Sequence, residues 1–115
     1  MKKRNFLTFA RLAAKIGDDK KSSDIVLMNV RRLTPIADYF IIMTVQSTPQ
    51  MRAVLDTIEE EFKKEGLLQP VHREGKGATS WGILDYGGLI IHVMTPDARR
   101  FYALEKLWSD AKKVK

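Results

Sequence analysis

Asp38 and Asp85 are the two carboxylates set in or beside strand-like apolar runs of this 115-residue chain. If they converged they would hold Mg²⁺ for phosphoryl transfer. Asp38, however, stands at the mouth of its run after Pro35, where an aspartate equally caps a turn. Asp85 alternates with Trp81 and Ile83 along one strand face. An aromatic, aliphatic and acidic face suits a contact patch better than a metal cage. His92 lies inside Leu89-Ile90-Ile91-His92-Val93-Met94. As a general base it would need a poised nucleophile, and neither Ser80 nor Thr95 completes a triad by its spacing. A satisfied, half-buried histidine at an edge or an interface is the plainer reading. The stretch from Glu74 to Ser80 holds Gly75 and Gly77 but matches neither the Walker pattern nor the dinucleotide fingerprint. It runs into a strand, so no helix N-terminus cradles phosphate there, and it reads as a flexible loop open to a partner.

Cysteine is absent and the histidines are two, His72 and His92. Disulfides, zinc fingers, Fe–S clusters, thiol nucleophiles and all-histidine metal sites are thereby excluded. No metal, cofactor or catalytic residue is expected, and a reducing cytosol suits this composition. The formal charge is +6, with the excess towards the two ends: residues 1–20 carry net +4, 21–70 net −1 and 71–115 net +3. A solvated basic face accounts for this first, and an RNA-rich neighbourhood or acidic partner second. No apolar run reaches 18 residues, so no membrane-spanning helix is expected. Met1-Lys2-Lys3-Arg4 before Phe6 and Leu7 imitates a signal peptide, but Thr8 and Arg11 break the apolar stretch.

The elements that must position these residues follow from periodicity. Phe6, Phe9, Leu12, Ala13 and Ile16 predict an amphipathic helix over 5–17, stopped at Gly17. Ile25 to Val30 predicts a short buried strand, and Ala37 to Val45 a stronger one, apolar on both faces. Ser47 with Gln50 makes a capping box and Pro49 suits the first turn of a helix. That helix has a stripe of Met51, Val54, Leu55, Ile58 and Phe62, solvent-side pairs Glu59–Lys63 and Glu60–Lys64, and an end at Gly66. A short strand over 71–74 precedes a hairpin, 81–86 and 89–94, turned by Gly87-Gly88, both glycines supplying positive φ. Thr95-Pro96 opens one last helix burying Phe101, Leu104, Trp108 and Ala111, with a frayed basic end over 112–115. The sum is a single α/β (α+β) domain, 1–115 with its core over 23–111, built on a mixed sheet of about five strands flanked by helices.

The motifs themselves resemble a known family. Ser23-Asp24-Ile25-Val26, Ala37-Asp38-Tyr39-Phe40-Ile41-Ile42 leading to Ser47, and Glu74-Gly75 come first. Trp81-Gly82-Ile83-Leu84-Asp85-Tyr86-Gly87-Gly88, His92-Val93 and Arg99 through Trp108 complete the set. In this order and with these gaps the chain resembles the ribosomal silencing factor family, also called Iojap-like, from about Asp24 to Ala111 and weakly over the first helix. The resemblance implies a nucleotidyltransferase-like core without catalytic residues, and a cytoplasmic protein that is not an enzyme. It implies binding to the large ribosomal subunit through its fourteenth protein, obstruction of joining with the small subunit, and repressed translation under nutrient limitation. Carried over position by position, it marks Trp81, Asp85, Tyr86, His92, Arg100, Tyr102, Leu104 and Glu105 as protein-interface candidates. Asp85 and Glu105 are expected to accept basic groups, and Trp81 and Tyr102 to anchor. Peripheral contact with ribosomal RNA through Lys2, Lys3, Arg4 and residues 112–115, and a homodimer when free, are further expectations. A phosphoryl-transfer enzyme using Asp38 and Asp85 together, or a free RNA-binding protein with a basic aromatic stripe, would be the rival readings.

Overall fold

In a computed structural model the structure describes residues 5–67, 69–75 and 79–114. Helix α1 spans Phe6–Asp19, its first turn capped by Asn5, whose side chain accepts from the Thr8 N–H at 3.3 Å. It runs two residues beyond the predicted stop. Gly17 sits inside the helix and is buried against the sheet, where a Cβ would meet the end of the Met43 side chain at 2.6 Å. Strands β1 (Ser23–Asn29) and β2 (Tyr39–Thr44) follow, then helix α2 (Thr48–Lys64). Ser47 caps α2 by accepting from the Gln50 N–H at 3.1 Å. The Gln50 side chain reaches back to the Gln46 N–H and donates to the Lys20 carbonyl, tying the start of α2 to the end of α1.

Strands β3 (His72–Glu74), β4 (Trp81–Asp85) and β5 (Leu89–Met94) come next, then helices α3 (Pro96–Tyr102) and α4 (Leu104–Leu107) and strand β6 (Lys112–Val114). The sheet has six strands among the described residues, in the order β3-β4-β5-β2-β1-β6, one more than predicted. The addition is β6: Lys112 and Lys113, expected to fray, pair antiparallel with Asn29 and Met28 on the edge of β1. Two lysines and a valine are too short a run to signal a strand of their own; the open edge of β1 recruits them, and Val114 packs on the main core. Among the described residues only β2 and β5 run parallel, at the centre of the sheet.

Alternation divides the sheet into two faces. Tyr39, Ile41 and Met43 of β2 and Leu89, Ile91 and Val93 of β5 face α1 and α2 in the main core. Phe40 and Ile42, with Ile90 and Met94, point the other way into a second core that gathers Leu104, Trp108 and Ala111. The predicted doubly apolar strand thus has both faces covered, each by different helices. The last helix is not continuous. Ala103 adopts a left-handed conformation, φ 46°, which ends α3 and resets the phase. Leu104 and Trp108 still turn inward, Trp108 meeting Phe40 edge to face at 5.3 Å. Phe101, expected in the buried stripe, is 82% exposed. On α2, Glu59 turns not to Lys63 but to Arg73 of β3, which also holds Asp56 at 2.9 Å.

The Gly87-Gly88 turn divides its labour. Gly87 alone has positive φ, 85°. Gly88 is needed for room, since a Cβ there would meet the Phe6 ring at 2.3 Å.

Candidate functional site

The C-terminal segment covers only part of the second face. Trp108 lies over Phe40 of β2, and β6 closes the edge beside β1. On β4 the outward residues Trp81, Ile83 and Asp85 remain partly exposed. Register sets His72 opposite Asp85 and Glu74 opposite Ile83, so these β3 residues share that face. His72 and Glu74 bond to each other there at 3.0 Å. Tyr102, 50% exposed, packs tilted against Trp81 with ring centroids 4.5 Å apart, and Phe101 meets Tyr102 edge-on at 5.0 Å. The result is a ledge of three aromatic rings beside an acidic strand face.

Trp81 is held from below. Its indole N–H donates to Nδ1 of His92 at 3.1 Å. His92 is 7% exposed in a central strand, not half-buried at an edge, and Phe40 packs against it at 5.4 Å. Because Nδ1 accepts, a neutral ring carries its proton on Nε2, which is buried without a partner. Burial pushes its pKa down to about 4, so the ring is neutral across the physiological range.

The other candidates divide into surface and support. Arg100 is exposed on α3 and pairs with Asp97, and Leu104 is half-buried against the second core. Tyr86 is 5% exposed on the opposite, helical side, where its ring packs on Phe62 at 5.1 Å. Burial, and then the charge of Glu59, raise its phenol well above the ordinary value. His92 and Tyr86 are therefore supports; neither reaches the surface of this chain. Asp85 accepts from the Gly87 N–H at 2.8 Å, closing the hairpin turn with one oxygen. Glu105 is engaged internally, bonded to the Arg99 Nε at 2.7 Å, and that bond holds its carboxyl below the ordinary range. It is not a free acceptor.

Sequence reasoning missed Arg99. Its side chain is 12% exposed and joins Glu105 of α4, the Asp24 carbonyl at the start of β1 and the Thr44 hydroxyl at 2.8 Å at the end of β2. The one available signal was phase: Arg99 lies four residues after the cap Thr95, on the inward side with Ala98, whereas Arg100 lies outside. Asp38 and Asp85 share a face but are not brought together. Strand β5 stands between their strands, a lateral gap of about 10 Å at ordinary strand spacing. Asp38 lies 3.8 Å from Arg31 in an exposed pairing, and Asp85 gives one oxygen to the turn. Among the described residues no group of three or more His, Asp or Glu could hold a metal ion, and no helix is long and apolar enough to cross a membrane. The predicted loop residues Lys76, Gly77 and Ala78, and the basic residues 1–4 and Lys115, lie outside the described residues.

The fold defines a small mixed α/β protein with helices on both sides of its sheet and one face left partly open. Residues 3–115 match the sequence profile of the family described as "Ribosomal silencing factor during starvation", RsfS. The chain is 34% identical over 107 residues to the ribosomal silencing factor RsfS of Bacillus subtilis (strain 168), covering 93% of this chain and 90% of that protein. It is 41% identical over 92 residues to the RsfS of Haemophilus influenzae, covering 80% and 89%. A crystal structure of a Chromobacterium violaceum protein superposes with a TM-score of 0.86 at 28% identity, covering 97% of this chain and 92% of that one. The chain belongs to the ribosomal silencing factor (Iojap) family, which is non-catalytic.

Proposed function

We propose that this protein binds the large ribosomal subunit through its fourteenth protein and blocks joining with the small subunit by occupying the joining face. One observation carries the reading: the aromatic ledge of Trp81, Tyr102 and Phe101 on the same face as Asp85, left partly uncovered by the C-terminal segment. Buried aromatic anchors dominate protein interfaces, and neighbouring carboxylates select a basic partner. Steric exclusion requires tight docking and no turnover, which agrees with Asp38 and Asp85 lying on strands separated by β5, Asp85 giving one oxygen to its turn. On this reading the core is nucleotidyltransferase-like but stripped of its chemistry, and the chain acts in the cytoplasm as one unit over 1–115. It represses translation under nutrient limitation, with ribosomal RNA touched only at the periphery. When free, two copies cover the ledge of one another as a homodimer.

Trp81→Ala and Tyr102→Ala should each weaken binding to purified large subunits by about 1 to 4 kcal/mol. Both variants should lose, in proportion, the ability to prevent subunit joining in a reconstituted assay. Folded variants that bind and block as well as the parent would move the interface elsewhere.

A further inference from the structure

A cleft of about 810 Å³ opens at the far end of the sheet from the Gly87-Gly88 turn, between the start of β1, the end of β2 and the α3–α4 segment. Topology alone marks this place. The parallel strands β2 and β5 both end here, β2 leading to α2 on the main-core face and β5 to α3 on the other. Where neighbouring parallel strands send their connections to opposite faces, a crevice opens at their carboxyl ends, and open α/β sheets bind ligands there.

The lining is chemically divided. Arg99, Arg100 and Lys106 supply three cations against the two carboxylates of Asp24 and Glu105, and Val26 and Pro96 make an apolar wall; the Ile25 side chain turns to the other face, towards α1. Arg99 is occupied in holding Glu105 and Thr44 in place, which leaves Arg100 and Lys106 as the outward cations; Arg100 has only its exposed pairing with Asp97. Such a surface pairing is weak and easily exchanged for a better anion. The walls also contain two of the three non-glycine residues with positive φ among the described residues, Asp24 at 48° and Ala103 at 46°. Backbone strain of this kind gathers at ligand clamps. The volume lies in the range of small-molecule sites and far exceeds what a lone phosphate fills.

We propose that this cleft binds a nucleoside phosphate, its phosphate against Arg100 and Lys106 and its base against the wall of Val26 and Pro96. The assignment goes beyond docking on the ribosome and is independent of it, since it is tested on the isolated chain. Isothermal titration of the full chain with each of the four ribonucleoside monophosphates should reveal saturable, one-to-one binding of at least one. Adenosine or guanosine alone, and inorganic phosphate alone, should bind at least about tenfold more weakly, and so should the nucleotide in Arg100→Ala and Lys106→Ala, each of which loses a charge-assisted hydrogen bond. Amide resonances of Val26, Thr44 and Ala103 should shift on titration. Absence of saturable binding by all four nucleotides would overturn the proposal. So would unchanged affinity in both variants, shifts confined to another face, or inorganic phosphate matching the nucleotide.

Discussion

A histidine sealed within a sheet has a cost that depends on acidity. The folded state holds His92 at a pKa of about 4 through burial, against about 6.5 for an unfolded chain. Between these values the unfolded state binds more protons, so stability rises with pH. The contribution is complete above about pH 6.5 and is withdrawn as pH falls towards 4, up to an amount on the order of 3 kcal/mol. Urea midpoints should therefore drop from pH 7 to pH 5. His92→Asn, which keeps an acceptor near the position of Nδ1 but cannot be protonated there, should flatten that slope even if it lowers stability throughout. A parent protein equally stable at both pH values would refute the assignment. Protonation within the folded protein would also remove the acceptor for the Trp81 indole, so the anchor should loosen only as pH approaches about 4.

At the scale of elements, the β4–β5 turn is fixed against α1 by contact as well as by conformation. Gly88→Ala should destabilise the fold by about 1 to 3 kcal/mol, the ordinary range for overpacking, because its Cβ would enter the Phe6 ring. In the Phe6→Ala background the same change should cost markedly less, and a double-mutant cycle with no coupling would dismiss the contact. This turn was legible in part: the glycine pair announced a hairpin, but which glycine served φ and which served space depends on a helix some eighty residues away in sequence. The cap and buried stripe of helix α2 were legible, since Ser47, Pro49 and the run from Met51 to Phe62 are local signals, but its ion pairs were not: Glu59 goes to Arg73 and Lys64 to Glu61. The break at Ala103 was not, because alanine gives no warning of a left-handed residue, and the mistaken single stripe sent Phe101 inward. Of the candidate site, Trp81 and Tyr102 fall on one ledge as their types suggested. The burial of His92 and Tyr86 is set by which strands flank theirs and which helix lies above, and no spacing encodes that.

For the whole molecule, the stretch Lys112–Val114 belongs to the sheet and is not a free tail. Deleting it would strip the edge of β1 along with the charge. Neutralising it in place separates the two effects: Lys112→Gln with Lys113→Gln should leave thermal stability nearly unchanged while lowering the salt slope of large-subunit binding by about 1 to 2, if these lysines meet phosphates. An unaltered slope would remove ribosomal RNA from the account of this edge. The same sheet carries a kinetic consequence at its centre. Tyr39 pairs with Leu89 and Thr44 with Met94, partners about fifty residues apart, whereas α2 and the β4–β5 hairpin close over short distances. Joining the parallel pair means closing a long loop before any contact rewards it, so this step should set the pace of folding. Until it happens, two of the most apolar segments of the chain stand with bare hydrogen-bonding edges, and the hazard of aggregation is greatest in the middle of the sheet rather than at its rim.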